Sequence, residues 1–330
     1  MNKKRIRINN VSLLIAIVLF VAMFIYGSLA FNKFGSLATI FNLFNGSAYL
    51  IVVAVGMTFV LLTGGIDISV ASTVAFTSVL SAYLLRANWP AFVVIPLMLV
   101  MGLVVGYMIG YCVHVFQIQP FIISLAFQFL LRGMCAVVSR ESIPITNAFY
   151  KAAALNRIKV TIGGSTAGLY YYVFVALAIL IAAWFVLRFT RFGRSVYAVG
   201  SNELSAQYMG LDVRKVKISV YAINGVCAAI GGIIFSINTL AGYSLQNMGL
   251  ELDAISSAVI GGTLLTGGVG TVIGTLFGVL IQGLIKTIVT YQNLNSWWTR
   301  VTIAALLCFF IVIQRIVAIR AEREKANQSA

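Results

Sequence analysis

Long apolar runs recur along nearly the whole of this chain, and they constrain its fold more than any other feature. They fall at 11–31, 47–63, 69–86, 91–116, 120–139, 169–189, 216–240, 254–267, 271–289 and 298–317. A helix needs about 20 apolar residues to cross a bilayer. The runs therefore predict an all-α, polytopic integral membrane protein of about ten spans (eight to ten, because the second and eighth are short), built as one membrane domain over residues 1–330. Composition agrees: 61% of residues are hydrophobic and 9% charged, against roughly 45–50% and about 25% in soluble domains. An ordinary soluble enzyme, a disordered chain and a disulfide scaffold are excluded. Cys112, Cys135, Cys227 and Cys308 all lie in apolar runs and read as packing residues.

The charge excess, 23 Lys and Arg against 8 Asp and Glu, would suggest nucleic acid in a soluble protein. Here the basic residues sit beside apolar runs, where the positive-inside bias explains them and no nucleic-acid partner is expected. Lys3, Lys4, Arg5 and Arg7 precede the first run, which is too long for a signal-peptide core and reads as a retained span. Six crossings return the chain to the same side at Arg188, Arg191, Arg194, Arg214, Lys215 and Lys217, and four more do so at Arg315, Arg320, Arg323 and Lys325. Both termini are thus expected in the cytoplasm. The moderately polar segment 140–168 carries Arg140, Lys151, Arg157 and Lys159 and falls outside, against the bias.

Chemistry-bearing motifs are sparse. Gly278 and Gly283 have the spacing of a phosphate-cradling loop, but Leu284 stands where Lys is required. His114 is the one histidine, without further ligands at metal spacing, and no nucleophile elbow surrounds a serine. No catalytic residue, metal or resident cofactor is expected. Arg132 and Lys286 lie within spans and Asp67 between two of them. That is too little for a proton relay, which disfavours an ion-coupled carrier, and one His with eight acidic residues, mostly in loops, leaves no clustered constellation for a membrane-embedded enzyme. Arg132 is expected to pair with Glu141 or to cap backbone carbonyls.

Leu61-Leu62-Thr63-Gly64-Gly65 recurs as Leu264-Leu265-Thr266-Gly267-Gly268, each copy joining two spans and each expected to end a helix. Glycines four apart, at 102, 106 and 110 and at 270, 274 and 278, suit close helix packing in lipid. The segment 190–217 is the most informative. Asn202 is a good N-cap, Glu203 follows where the helix dipole favours an anion, and Gly210 suits a C-terminal stop. The short helix between them would carry Leu204, Tyr208 and Leu211 on one apolar stripe, to be buried on the membrane surface or in a partner's groove.

Gly193, Arg194, Tyr197, Ala198, Gly200, Asn202, Ala206, Gly210 and Leu211 resemble the cytoplasmic coupling loop of ribose-type ABC sugar importer permeases. So do the stretches from Thr63 to Val70, from Glu251 to Ile255, Gly261-Gly262-Thr263 and from Gly267 to Thr271, including Asp67 and Gly270. A narrower likeness, to the second permease of bacterial galactofuranose importers, rests on Glu141 to Ile145, Ala241-Gly242-Tyr243, Gln282 to Ile285 and Ser296-Trp297-Trp298-Thr299. Ala71 and Ser201 stand where that family usually has glycine. The resemblance implies a bacterial inner-membrane subunit that forms a translocation pathway for galactofuranose, ribose or another monosaccharide. It further implies a second permease subunit, cytoplasmic ATP-binding cassettes that hold the ATP, and a periplasmic sugar-binding protein. Gln128, Asn224 and Asn238 are candidates to line the pathway or to bond helix to helix.

Overall fold

The protein is described by a computed structural model covering residues 3–162, 165–295 and 297–312. The C-terminal basic cluster from Arg315 to Lys325 lies outside the described residues.

At the centre stands α2 (Leu37–Leu62), almost entirely buried. Ser36 begins it by accepting the Thr39 N–H at 3.3 Å. Its sequence is apolar on every side, as a helix without a solvent face must be. Around it lie α10 (Val213–Thr239), α12 (Val272–Tyr291), α7 (Tyr171–Phe189) and the short α11 (Leu250–Ile260). Outside these, α3 (Val70–Arg86) and α4 (Ala91–Val115) pack on α10, α5 (Pro120–Val138) on α3, and α1 (Lys3–Ala30) on α12. A final helix, α13, spans Trp297–Val312.

Small residues set the tightest contact. Along α4, Gly102, Gly106 and Gly110 face the Gly225 carbonyl, the Tyr221 carbonyl and the Ile218 Cα of α10, and an added Cβ would collide with backbone at each. The second glycine series does the same for α12, with Gly274 against Gly261 and Gly278 against Ser257 of α11. Close backbone approach of this kind supplies the dispersion contact that holds helices together where lipid is as apolar as the helix surface.

Seven described helices are long and apolar enough to cross a bilayer, and Val70–Arg86 and Trp297–Val312 are shorter apolar helices. The expectation of a continuous helical span at 254–267 is corrected. Helix α11 has 11 residues and rises about 16 Å, about half the hydrocarbon thickness. It stops because Gly261-Gly262 admits Gly262 at φ 94°, and the chain then runs without helix to Thr271. The second span is instead longer than expected, beginning at Leu37.

The all-α expectation also needs correction. The segment after α5 forms α6 (Ala148–Leu155) and an antiparallel hairpin, β2 (Arg157–Ile162) with β3 (Ser165–Tyr170). A second pairing joins β1 (Ile143–Pro144) to β4 (Ala241–Gly242). Asn45 of α2 holds the hairpin, donating to the Gly168 carbonyl at 2.8 Å and accepting the Tyr170 N–H at 3.1 Å. This hairpin end of the bundle lies opposite the end that carries α8 (Arg191–Ser201) and α9 (Glu203–Tyr208).

Candidate functional site

At the α9 end the chain folds into a compact knot. Thr190 begins α8 by accepting the Gly193 N–H at 3.1 Å, and α8 buries Gly193, Val196 and Val199. Asn202 stops α8 with an extended backbone and starts α9, its side-chain oxygen accepting the Ser205 N–H at 2.8 Å. Gly210, at φ 80°, ends it. Asp212 accepts the Lys215 N–H at 3.0 Å to start α10, a bond that holds its carboxyl below the ordinary carboxylate range.

Helix α9 is fixed from one side and free on the other. Ala206 is fully buried, and Glu203 pairs with Lys217 of α10 at 2.6 Å. Leu204 and Tyr208 are 64% and 88% exposed. The expected stripe is corrected at its third member: α9 ends at Tyr208, so Leu211 lies beyond the turn, partly buried against the core. Met209, 68% exposed, takes its place in the apolar patch. Sequence reading missed it because the i+7 step from Leu204 to Leu211 was carried past the Gly210 stop. Beside the patch lies a groove of about 610 Å³, bounded by His114 and Gln117 from the end of α4, Glu203, Leu204 and Gln207 of α9, and Arg214 of α10.

Both Leu-Leu-Thr-Gly-Gly turns meet the end of α8. The Gly268 N–H donates to the Leu62 carbonyl at 2.9 Å, so the second turn is bonded to the last residue of α2. Gly200 lies so close that an added Cβ would overlap the Leu62 carbonyl oxygen and sit 2.8 Å from the Gly268 nitrogen. Gly267 packs on Gly64, and Gly268 on Ser201. Tyr197 donates its hydroxyl to the Gly270 carbonyl at 2.9 Å. Backbone contacts and hydrogen bonds thus join the end of α8 to the end of α2 and to the loop that leads into α12. Gly200 and Tyr197 were family-motif residues in the sequence, and Ser201 a departure from the motif. Nothing local signals their contacts, because their partners lie far along the chain.

One level deeper, Asp67 is 1% exposed. Its carboxylate accepts from the Ser69 N–H at 2.9 Å, the Ser69 hydroxyl at 2.6 Å and the Asn224 amide at 2.7 Å. A fully buried Asn224 thus ties α10 to the turn after α2. Gln128 is half-buried on α5. Asn238 is exposed near the hairpin end, with the Tyr172 hydroxyl 3.5 Å away. The three pathway candidates do not converge on one spot. Arg132 caps carbonyls, those of Ser244 at 2.5 Å and Gln246 at 2.8 Å. Among the described residues, no group of three His, Cys, Asp or Glu could hold a metal.

Residues 39–311 match the family model described as branched-chain amino acid transport system, permease component. The chain belongs to this permease family. Its relatives agree over nearly their full lengths. It is 44% identical to the inner membrane ABC transporter permease protein YjfF of Escherichia coli, over 96% of each chain. It is 35% identical to the fructose import permease protein FruG of Bifidobacterium longum, over 92% of this chain and 90% of the relative. It is 33% identical to the ribose import permease protein RbsC of Escherichia coli, over 90% and 91%. No solved structure matches. A permease component is a transport subunit rather than an enzyme, and this one is a multi-pass membrane protein.

Proposed function

We propose that this chain is a permease subunit of an ATP-driven bacterial sugar importer in the cytoplasmic membrane, with α9 and both termini on the cytoplasmic side. The observation that carries the reading is the α9 patch. Leu204, Tyr208 and Met209 present apolar surface on a helix whose other face is locked to α8 and α10. Such a patch fits the groove of a cytoplasmic ATP-binding cassette, which holds the ATP. Movement of the cassette passes through α8 to Gly64-Gly65 and Gly267-Gly268, and so to α2 and α12. A second permease subunit and a periplasmic binding protein complete the assembly. The sugar is a monosaccharide, galactofuranose by the motif resemblance, with ribose and fructose as alternatives from the sugars that two relatives import.

The test replaces Leu204 and Tyr208 together with Asp. Both are exposed, so the permease should insert and remain monodisperse in detergent. Loss of two apolar anchors at an interface centre commonly costs over about 2 kcal/mol, so recovery of the ATPase subunit on an affinity-tagged permease should fall about 30-fold or more. Unchanged co-purification would sink the docking role and leave α9 as a membrane-surface helix. Impermeant thiol labelling near Ser201 from the cytoplasm and near Ala153 from outside checks the orientation. A screen of the binding protein against furanose and pyranose sugars identifies the substrate.

A further inference from the structure

At the hairpin end, a cleft of about 550 Å³ opens between α11, α12 and α13. Asp253, Ser256, Lys286, Thr290, Thr299 and Arg300 supply its polar side. Lys286 lies in α12, five residues before the helix ends at Tyr291, about 7.5 Å of rise inside that end. Its side chain is 45% exposed and that of Asp253 30%, with 3.6 Å between the two charged groups. A charged pair open to the surface at this depth fits a water-filled cavity, since ionisable groups within spans almost always face the bundle interior or such a cavity.

The polar side is built. Gln282, fully buried on α12, donates to the Asp253 carbonyl at 2.9 Å and to the Ser256 hydroxyl at 2.7 Å. The Ser256 hydroxyl in turn donates to the Leu252 carbonyl at 2.7 Å. Thr290 donates its hydroxyl to the Lys286 carbonyl at 2.8 Å. Arg300 reaches the Met248 carbonyl at 3.4 Å and stacks on Trp297 at 5.1 Å. The Thr290 proton is thus spent on backbone, so toward the cleft this exposed hydroxyl acts as an acceptor beside the Asp253 carboxylate, while Ser256, buried and already accepting from Gln282, anchors the wall behind it. Lys286 and Arg300 add donors. Leu252, Val289, Ile303 and Leu307 give an apolar opposite side.

We infer that this cleft is a sugar-binding station at the outer mouth of the permease, where a neutral monosaccharide meets the membrane subunit on leaving its binding protein. The Asp253 and Thr290 acceptors beside the Lys286 and Arg300 donors suit vicinal hydroxyls, each of which must donate as well as accept, and the apolar side suits a sugar's C–H face. A lipid phosphodiester would pair with Lys286 and Arg300 but brings no donor for the Asp253 carboxylate and the Thr290 hydroxyl. The inference rests on the importer reading above and names where in this chain the substrate is held.

The experiment uses the assembled complex in right-side-out vesicles. In a Cys308→Ala background, Thr290→Cys should react with a charged, impermeant methanethiosulfonate added outside, while Val301→Cys, 57% exposed on α13, should not. Thr290→Val, which keeps shape and removes the acceptor, should lower the maximal uptake rate of labelled D-ribose, D-fructose or D-galactose about 3- to 10-fold. The half-saturating concentration, set by the binding protein, should stay unchanged. No reaction at Thr290→Cys means that lipid or the second permease fills the cleft and overturns the station. So does wild-type uptake by Thr290→Val. If the wild-type complex couples ATP to none of these sugars nor to any that its binding protein binds, the importer reading fails instead.

Discussion

The two Leu-Leu-Thr-Gly-Gly turns share five residues and differ in almost everything else. In the first, α2 runs up to Leu62, and the Gly64 and Gly65 N–H groups bond back to the Leu61 and Val60 carbonyls at 2.9 and 3.1 Å. Only Gly64 has positive φ, 77°. The second copy corrects the expectation that each ends a helix. Helix α11 has already stopped at Ile260, and Leu264 donates to Val269 at 2.9 Å to close a loop in which Gly267 and Gly268 both have positive φ, 82° and 74°. The first copy is a helix end that closes on itself. The second is a loop held from outside, by Leu62. Five identical residues adopt either backbone because glycine permits both, and the tertiary partner selects between them.

The largest effect should come from the residue that touches both turns. Gly200→Val would drive a side chain into the Leu62 carbonyl and against the Gly268 nitrogen. Backbone on both sides leaves no flexible neighbour to yield, so destabilisation of about 3 kcal/mol or more is expected. A thermal melt of the detergent-solubilised protein should show it. A wild-type melt would mean that the turns are not clamped together by α8.

Next is the second turn alone. Gly268→Val meets two obstacles, a φ of 74° that β-branched residues resist and the Ser201 Cα at 2.9 Å from the new Cβ. About 2–4 kcal/mol is expected from strain and overpacking together. Assembly with the ATPase and sugar uptake should fall in step with stability. Normal assembly with failed uptake would instead mark this loop as a moving part.

The first turn should be more forgiving, and in a way that can be reversed. An added Cβ at Gly65 meets the Tyr221 hydroxyl first, then Val60 at 3.2 Å. Gly65→Ala alone should destabilise by about 1–2 kcal/mol, and adding Tyr221→Phe should recover a good part of it, a coupling of about 1 kcal/mol in a double-mutant cycle. Simple additivity would show that the hydroxyl is not the obstacle.

The smallest effect concerns what the second turn lacks. Asp67 binds the first turn to Asn224, whereas Gly270 stands at the corresponding place in the second. Asp67→Asn keeps an acceptor for Ser69 but sets one amide against another at Asn224, for about 1 kcal/mol. Proteolysis of the 63–70 region should quicken without loss of insertion.

Sequence by itself determined the features whose physics is local. Apolar runs fixed where the long helices lie, since a backbone in lipid has few alternatives to a helix. Asn202 and Gly210 set the start and stop of α9, because a cap is one side chain bonding to its own next turn. For Arg132 the sequence left carbonyl capping and pairing with Glu141 both open, and the structure has the capping. Tertiary structure decided the rest. The break after Ile260 falls at Gly261-Gly262, inside a run whose average hydropathy does not divide there. The β2–β3 hairpin depends on Asn45, more than a hundred residues before it in sequence. The meeting of Gly200, Leu62 and Gly268 joins three distant segments by backbone contact, which leaves no periodicity or charge pattern to read. In the last two cases the deciding hydrogen bond or van der Waals contact is made to a partner that local sequence does not contain.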